Sequence, residues 1–262
     1  MRTIIAGCLT IVCLHGLFPV AEAQVNIENR RWHTDENAIH ATVDIGLTLK
    51  RGNSEVSNYK ASGTVGKRQG AHLAFLLGKI EYGTTRDEKY LNHGQGHLRY
   101  NYYLSEFLAL EGFTQVEYDE FRLLNLRALG GGGVRWMAST ADTSGQRISL
   151  NGAWGIAVFY EQERYDLPEG HPGRETDIVR LSSYLTGGLQ VSDNARLALT
   201  VYGQPRAGDW ADVRSIGESA LEVELSRLLS LLVKLTSRYD SEPVGEVEEW
   251  DLSLENTLRF RW

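Results

Sequence analysis

The sequence lacks three features, and each shortage excludes a class of protein. Its two cysteines, Cys8 and Cys13, both lie in the first 23 residues, so the chain beyond them has no disulfide scaffold, thiolate metal site or cysteine nucleophile. Beyond the same point, no apolar run approaches the ~18 residues that a membrane-spanning helix needs. A basic excess is also missing: the formal net charge is −7, which argues against nucleic acid as a partner.

The first 23 residues have the form of an export signal. A basic start at Arg2 precedes a largely apolar stretch over 4–20, and Ala21-Glu22-Ala23 has the small-x-small form of a signal-peptidase site. We therefore predict a cleaved signal peptide over 1–23, a periplasmic lead-in over 24–37 and a single barrel domain over 38–262. The lipoprotein-like box ending at Cys8 precedes the apolar core instead of following it, so lipidation is not expected.

The C-terminal stretch, Trp250 to Trp262, alternates between apolar and polar residues. Period two over this length predicts a β-strand with one dry and one wet face. At ~3.3 Å per residue the strand spans roughly 40 Å, and a tilt of about 40° gives a rise of roughly 30 Å, enough to cross a membrane. The apolar positions are Trp250, Leu252, Leu254, Leu258, Phe260 and Trp262.

The same alternating unit recurs along the chain. Twelve strands are predicted, an even number that suits an antiparallel barrel with both ends in the periplasm. The longest outward loop is predicted over 162–176. The predicted strands cover 38–50, 56–67, 71–83, 90–104, 107–119, 123–137, 147–161, 177–191, 195–205, 213–225, 229–239 and 250–262.

Aromatic residues lie near the strand ends on the predicted lipid-facing sides. Two belts of aromatics at two heights are typical of a bilayer-spanning protein, whereas a soluble sandwich has no reason to sort its aromatics in this way. The pattern predicts an all-β protein: an antiparallel transmembrane β-barrel of about 12 strands in the bacterial outer membrane. The predicted girdles are Tyr82, Tyr118, Tyr160, Tyr239 and Trp250 at the outer ends, and Tyr100, Tyr102, Trp136 and Trp262 at the inner ends.

Two stretches resemble a known family. The segment D-I-G-L-T-L-K-R-G-N-S-E-V-S-N-Y-K-A-S-G, over 44–63, resembles the opening strand-turn-strand of the domain of unknown function 481 family. The segment Y-D-E-F-R-L-L-N-L-R-A-L-G-G-G-G-V-R, over 118–135, resembles its central hairpin. The family's best-known members are called salt-induced outer membrane proteins. The resemblance implies an outer-membrane location and supplies no catalytic residue.

Many charged residues fall on the faces predicted to point inward. Charges this numerous must be paired or hydrated, because an isolated buried ion is too costly. Either ion pairs fill the interior and close it, or water fills it and the charges select solutes; twelve strands do not decide between the two. The predicted lumen-lining residues are Asp44, Lys60, Arg99, Glu111, Glu117, Arg127, Arg135, Arg180, Arg196, Arg214, Glu218, Glu222, Glu224, Lys234, Arg238, Asp251, Glu255, Arg259 and Arg261.

Three motifs could carry chemistry, and each has a structural explanation. The run Gly130 to Gly133 lacks the following helix that a phosphate loop needs. His93 and His97 share a strand face but lie ~13 Å apart, too far to hold one ion together. A phospholipase-like site at the barrel rim would need a lipid-facing Ser beside a His. Candidate serines are Ser183, Ser215, Ser219 and Ser237, but the pattern offers no lipid-facing His at a convincing distance.

The sequence thus favours a non-enzymatic narrow channel or structural barrel, with no cofactor or metal. The resemblance implies a link to osmotic or salt stress. A lipid-modifying enzyme at the barrel rim is the alternative, and an adhesion protein is disfavoured by the short predicted loops. The expected partners are outer-membrane lipids, small ions or solutes, and the barrel-assembly machinery. The last would bind the C-terminal strand through Leu258, Phe260 and Trp262.

Overall fold

The structure, a computed structural model, describes residues 39–52, 55–140 and 150–262. Within these ranges, twelve antiparallel strands form one closed barrel, in which each strand pairs with its neighbours along the chain and β1 pairs with β12. This confirms the predicted fold class and strand number. The predicted signal peptide, the predicted lead-in and residues 141–149 between the sixth and seventh strands lie outside the described residues.

The strands have these bounds: β1 Ile39–Lys50, β2 Val56–Gln69, β3 His72–Thr85, β4 Glu88–Tyr103, β5 Leu108–Asp119, β6 Leu124–Thr140, β7 Leu150–Tyr165, β8 Glu175–Ser192, β9 Ala195–Arg206, β10 Asp209–Glu224, β11 Leu229–Asp240 and β12 Trp250–Arg261. A short 3₁₀ turn, Glu120–Arg122, joins β5 to β6. No helix in the described part of the chain is long and apolar enough to cross a membrane.

The hairpin between β7 and β8 is longer than predicted. Both strands continue into the predicted loop over 162–176, and Arg164 pairs with Glu175, so only residues 166–174 connect them. The alternation that the sequence shows up to Glu161 in fact continues, with Glu163 and Tyr165 buried. Because residues 161–164 are polar or charged on both faces, this strand end was predicted as a polar loop.

The last strand closes the barrel. Four residue pairs join β12 to β1, from Thr42 opposite Arg261 to Ile45 opposite Leu258. Two further backbone hydrogen bonds join Ala41 to Trp262: the Ala41 amide donates over 3.1 Å, and the Trp262 amide donates back over 3.0 Å. Closure removes the unpaired edges that an open sheet would leave. Because residues 258–262 make these contacts to β1, closure depends on them.

The two faces of the sheet are sharply different. Outward side chains are apolar and exposed: Leu252 on β12 keeps 74% of its surface accessible and Leu185 on β8 keeps 64%. Inward positions carry buried charges, including Arg99, Arg180 and Arg259. An apolar exterior around a polar interior is the surface pattern of a membrane barrel. All nine predicted girdle aromatics lie on the outward face.

The glycine run lies inside β6 and lets that strand approach β7 closely. Gly131 and Gly133 are the inward-facing members. A Cβ placed on Gly133 would overlap the carbonyl oxygen of Ile156, and one placed on Gly131 would overlap that of Val158. The glycine run is therefore part of one continuous strand, and the absent side chains permit close packing within the wall.

We predict that Gly133→Ala destabilises the barrel by ~2 kcal/mol, the typical cost of overpacking a tight site. Gly112→Ala is the matched control on the same hairpin, because Gly112 faces outward with no atom within 4 Å of an added Cβ. Urea titrations followed by tryptophan fluorescence in lipid vesicles measure both changes. Equal midpoints for the two variants would contradict the packing role of Gly133.

Candidate functional site: the barrel interior

The nineteen charged residues predicted to line the lumen all occupy inward-facing positions of their strands. We call the end that carries Ile39 and Trp262 the terminus end, and the opposite one the loop end. Most of the nineteen are buried or partly buried, whereas Glu224 and Asp251, near the two ends, are about half exposed. Whether any of them contacts a passing solute stays a prediction.

A cluster around two glutamates of β7 occupies the interior towards the loop end. We call it the β7 cluster: Glu161, Glu163, Arg127, Arg180 and Arg214. Arg127 Nη2 lies 2.6 Å and Arg180 Nε 2.7 Å from Glu161 carboxylate oxygens. Arg214 donates to both oxygens of Glu163, over 2.5 and 3.1 Å. Three guanidinium groups thus surround two carboxylates, all with side chains at most 7% exposed.

Two aspartates extend this cluster to the far wall. Asp212 Oδ1 lies 2.8 Å from Arg180 Nη1, and Asp240 Oδ2 lies 3.0 Å from Arg214 Nε. The charges of the extended cluster are therefore nearly balanced. Glu161, Glu163, Asp212 and Asp240 were not among the residues predicted to line the lumen. The continued period-two pattern of β7 could have identified the two glutamates.

A second cluster, the lysine–glutamate cluster, contains Lys60, Lys79, Glu81, Lys234 and Glu255. Lys60 and Lys79 lie 2.8 and 2.7 Å from Glu81 oxygens. Glu255 lies 3.2 Å from Lys60 and 3.3 Å from Lys234. The three lysine side chains keep 15–22% of their surface accessible, so this side of the interior is less tightly filled than the β7 cluster.

A third cluster lies towards the terminus end around the fully buried Arg259. Its guanidinium makes a two-point contact with Asp44, over 2.7 and 3.1 Å, and donates to Glu222 over 3.0 Å. Arg261 also contacts Glu222 and donates to Glu224 over 3.0 Å. Because Asp44 is on β1 and Arg259 on β12, this cluster also secures the seam at which the barrel closes.

Between the clusters, hydrogen-bonded and apolar groups fill the interior. The Tyr184 hydroxyl donates to Glu111 over 2.5 Å and accepts from Arg135 over 2.8 Å. Asn101 donates to the other oxygen of Glu111 over 2.7 Å. A buried apolar group of Phe113, Leu129, Ala157 and Phe159 packs beside them.

Several of these contacts join strands that are not neighbours in the wall, a quarter of the circumference apart. Arg214 on β10 reaches Glu163 on β7, Tyr184 on β8 reaches Glu111 on β5, and Lys79 on β3 reaches Glu255 on β12. Each pair is separated by two intervening strands. Twelve strands ~4.8 Å apart and tilted by ~40° enclose a barrel ~24 Å across between backbones, and these side chains meet inside that space.

The loop over 241–249 covers the interior at the loop end. Pro243, Val244 and Val247 line the same small cavity as Arg214 and Glu163 of the β7 cluster. The Ser241 hydroxyl fastens the start of the loop, since it accepts from the Val213 amide over 2.8 Å and donates to the Ala211 carbonyl over 3.0 Å. Apolar residues of this loop therefore lie against the outer side of the β7 cluster.

The two histidines of β4 have separate environments. His93 bridges Glu81 and Glu117, with ring nitrogens 3.1 and 3.3 Å from their oxygens. His97 stacks on Phe113, with ring centroids 6.5 Å apart. The described ranges contain no group of three or more His, Cys, Asp or Glu side chains arranged to hold a metal.

The four lipid-facing serines do not form a hydrolase site with a histidine in the described part of the chain. Ser183 accepts a hydrogen bond from the Trp154 indole over 3.1 Å, and Ser215 is buried with an unbonded hydroxyl. The histidine that the sequence analysis overlooked on the outward face is His72. Its ring nitrogen Nδ1 lies 2.5 Å from the Tyr100 hydroxyl.

We predict that Glu161→Gln lowers the free energy of unfolding by ~3 kcal/mol, because Arg127 and Arg180 each lose their shortest ion pair in a buried site. Glu175→Gln is the matched control: its pair with Arg164 is long, at 3.8 Å, and both side chains are exposed, so the unfolding midpoint should not move. Urea unfolding in vesicles compares the two. A Glu161→Gln midpoint equal to that of the control would show that the β7 cluster contributes nothing.

The chain is similar to several solved structures at low sequence identity. The translocator domain of the autotransporter NalP from Neisseria meningitidis is 11% identical, with 90% of this chain and 91% of that one covered and a TM-score of 0.47. The NanC porin is 13% identical, with 86% and 98% covered and a TM-score of 0.45. The KdgM porin in complex with disordered oligogalacturonate is 9% identical, with 85% and 96% covered and a TM-score of 0.42.

The sequence comparison is more specific. No curated protein sequence matches the chain. Residues 43–262 match the family described as Protein of unknown function, DUF481. That range includes every strand from β2 to β12 and most of β1. The chain belongs to the DUF481 family.

Proposed function

We propose that the protein is an outer-membrane barrel whose interior is closed by its own side chains, a structural barrel and not an open pore. The observation that carries the proposal is the set of contacts that cross the interior, above all Arg214 to Glu163 and Tyr184 to Glu111. An open, water-filled lumen would leave such groups hydrated along the wall, as in larger porins. Here they are buried and paired with each other.

The outer membrane is the proposed location because the exterior and the export signal both suit it. The outward face is an apolar belt flanked by aromatics, which matches a bilayer with two interfaces. The loop end would face outwards and the terminus end the periplasm. At the terminus end, Phe260 and Trp262 stack with centroids 6.2 Å apart, and with Leu258 they form the apolar surface that we propose the assembly machinery recognises.

A narrow ion pathway is the second candidate, and the lysine–glutamate cluster favours it. Water reaches Lys60, Lys79 and Lys234 in part, so the interior beside β1–β3 and β11–β12 is the less obstructed route. Ions on this route would still meet the third cluster, where Arg259 is fully buried between Asp44 and Glu222. For that reason the closed barrel is preferred.

An enzymatic role is not part of the proposal. It would need a nucleophile activated by a neighbouring base at the membrane rim, and the contacts of the four outward serines offer none in the described part of the chain.

Single-channel recording tests closure. We expect the purified protein to give a silent planar bilayer, with folding verified by a heat-dependent shift in gel mobility. The double variant Glu222→Gln/Glu224→Gln, which weakens the third cluster while keeping side-chain size, is expected to stay silent or to show only brief openings. Steady conductance of the unmodified protein, with ion selectivity altered in the double variant, would contradict closure and establish the narrow channel.

The name of the family's best-known members suggests a link to salt stress, and the stability of the barrel in concentrated salt can be measured. Buried ion pairs are screened much less by salt than exposed ones, so a barrel held by such pairs keeps its closure in concentrated salt. We predict that raising NaCl from about 0.1 to about 1 M moves the unfolding midpoint less than Glu161→Gln does. A larger loss in salt would show that exposed charges dominate stability.

A further inference from the structure

The outward face of β2–β4 carries polar donors at the terminus end. Lys67 on β2 lies opposite Ala74 on β3, which in turn lies opposite Tyr100 on β4. Because alanine is small, the lysine and the tyrosine flank an open space. One row nearer the terminus end, His72 lies opposite Tyr102, with ring centroids 5.1 Å apart. Lys67, His72 and Tyr100 are all exposed, and we call them the headgroup triad.

Within the described residues, this face has a positive charge and no negative one. Lys67 makes no ion pair with any described residue, and its outward neighbours on β1–β5 are uncharged. A lysine at the edge of an apolar belt is stable when its ammonium reaches the headgroup layer. The outward neighbours are Ile39, Ala41, Val65, Ala74, Leu76, Leu98, Leu110, Gly112 and Thr114.

The triad also offers hydrogen-bond donors with defined roles. The Tyr100 hydroxyl and His72 Nδ1 share one hydrogen bond of 2.5 Å. If the tyrosine donates, the imidazole hydrogen is on Nε2 and is available to an acceptor outside the protein. An ammonium and an imidazole N–H on one exposed face suit the oxygens of a phosphate.

Farther along the same strands lies an apolar trough in the outward surface. Gly63, Gly78 and Gly96 lie side by side on β2, β3 and β4 and form its floor. Val43 and Val116 lie at its two sides, and it encloses a volume of about 700 Å³. No atom lies within 4 Å of a Cβ placed on Gly78, so the floor is open to whatever surrounds the barrel.

The separation of the triad and the trough matches the dimensions of a lipid. Four residues of β2 separate Lys67 from Gly63, which is ~13 Å along the strand at ~3.3 Å per residue and ~10 Å of membrane depth at a strand tilt of ~40°. One leaflet of a bilayer contributes ~15 Å of hydrocarbon. The surface between them is formed by exposed Val65, Leu76 and Leu98, which are apolar. A lipid anchored by its phosphate at the triad would therefore reach the trough with an acyl chain inside the same leaflet.

We propose that this face binds one anionic phospholipid from the leaflet at the terminus end. Its phosphate contacts Lys67 and His72, and one acyl chain passes over Leu76 and Leu98 into the glycine trough. The proposal rests on the membrane location of the barrel and is independent of whether the interior is closed, since it concerns only the outward surface.

A second copy of the chain fits this face less well. In a two-fold dimer within a membrane, the same patch meets itself at the same height. The two Lys67 ammonium groups would then approach each other in an apolar interface, and the outward neighbours described above provide no carboxylate to compensate them. A lipid phosphate supplies the missing negative charge, whereas a second copy adds another positive one.

Native mass spectrometry of the protein released from detergent tests the proposal, with phosphatidylglycerol as the anionic probe and phosphatidylcholine as the neutral one. We expect one retained phosphatidylglycerol per barrel and weaker retention of phosphatidylcholine.

Lys67→Gln should reduce the preference for phosphatidylglycerol over phosphatidylcholine about fivefold, the contribution of one lysine at a lipid surface. Gly78→Leu, which fills the trough without a clash, should weaken retention of both lipids.

Gly203→Leu is the matched control, because Gly203 faces outward on β9 with no atom within 4 Å of an added Cβ; it should retain lipid like the unmodified protein. Equal retention of the two lipids, or a preference unchanged by Lys67→Gln, would overturn the proposal. So would a dimer that Gly78→Leu dissociates while lipid retention is unaffected, since a second copy would then occupy the trough. None of these outcomes depends on the conductance of the barrel.

Discussion

Charge compensation inside the barrel is the constraint on which the structure depends. Arginines such as Arg180 and Arg259 lie at 0–1% exposure, where an unpaired ion would cost several kcal/mol. Each contacts one carboxylate on a neighbouring strand and one on a strand farther along the wall: Arg180 contacts Glu161 and Asp212, and Arg259 contacts Asp44 and Glu222. The backbone ladders define the sheet, and the ion pairs define the interior. One lost carboxylate would remove contacts to more than one arginine, since Glu161 pairs with both Arg127 and Arg180.

Glycine has two different uses on the two faces of the sheet. On the inward face, Gly131 and Gly133 allow β6 to approach β7 beside the filled interior. On the outward face, Gly63 and Gly78 leave space in an otherwise bulky apolar surface. In both cases the missing Cβ determines what can come close: a neighbouring strand inside and a hydrocarbon chain outside. The same residue type therefore supports closure of the interior and the proposed lipid contact.

Much of the wall could be predicted from the sequence, because period-two alternation indicates both an extended strand and which side chains share a face. Every charged residue assigned inward, from Asp44 to Arg261, occupies an inward position. The partners could not be predicted in the same way. Which arginine meets Glu163 depends on strand tilt and stagger in the closed barrel, and no local pattern contains that information. Arg214 is 51 residues away from Glu163 and three strands further along the sheet.

The misjudged elements have a common cause. The hairpin over 162–176 and the inward glutamates of β7 were missed because charged residues occupied both faces near the strand end, which hid the alternation. His72 was missed because a polar residue on the lipid side breaks the pattern that assigns faces. Such exceptions occur where the strand leaves the hydrocarbon layer. There the residue types reflect the chemistry of the membrane interface and no longer alternate between apolar and polar.

Access of water to the middle of the barrel tests the central claim most directly. No cysteine lies beyond Cys13, so single cysteines are unambiguous reporters. Thr200→Cys places a thiol at a position that is 1% exposed and faces inward, while Thr48→Cys places one on an exposed inward position at the loop end. With a small charged thiol reagent, the account predicts rapid labelling at position 48 and none at position 200 until the barrel is unfolded. Equal labelling of both in the folded barrel would contradict a closed interior.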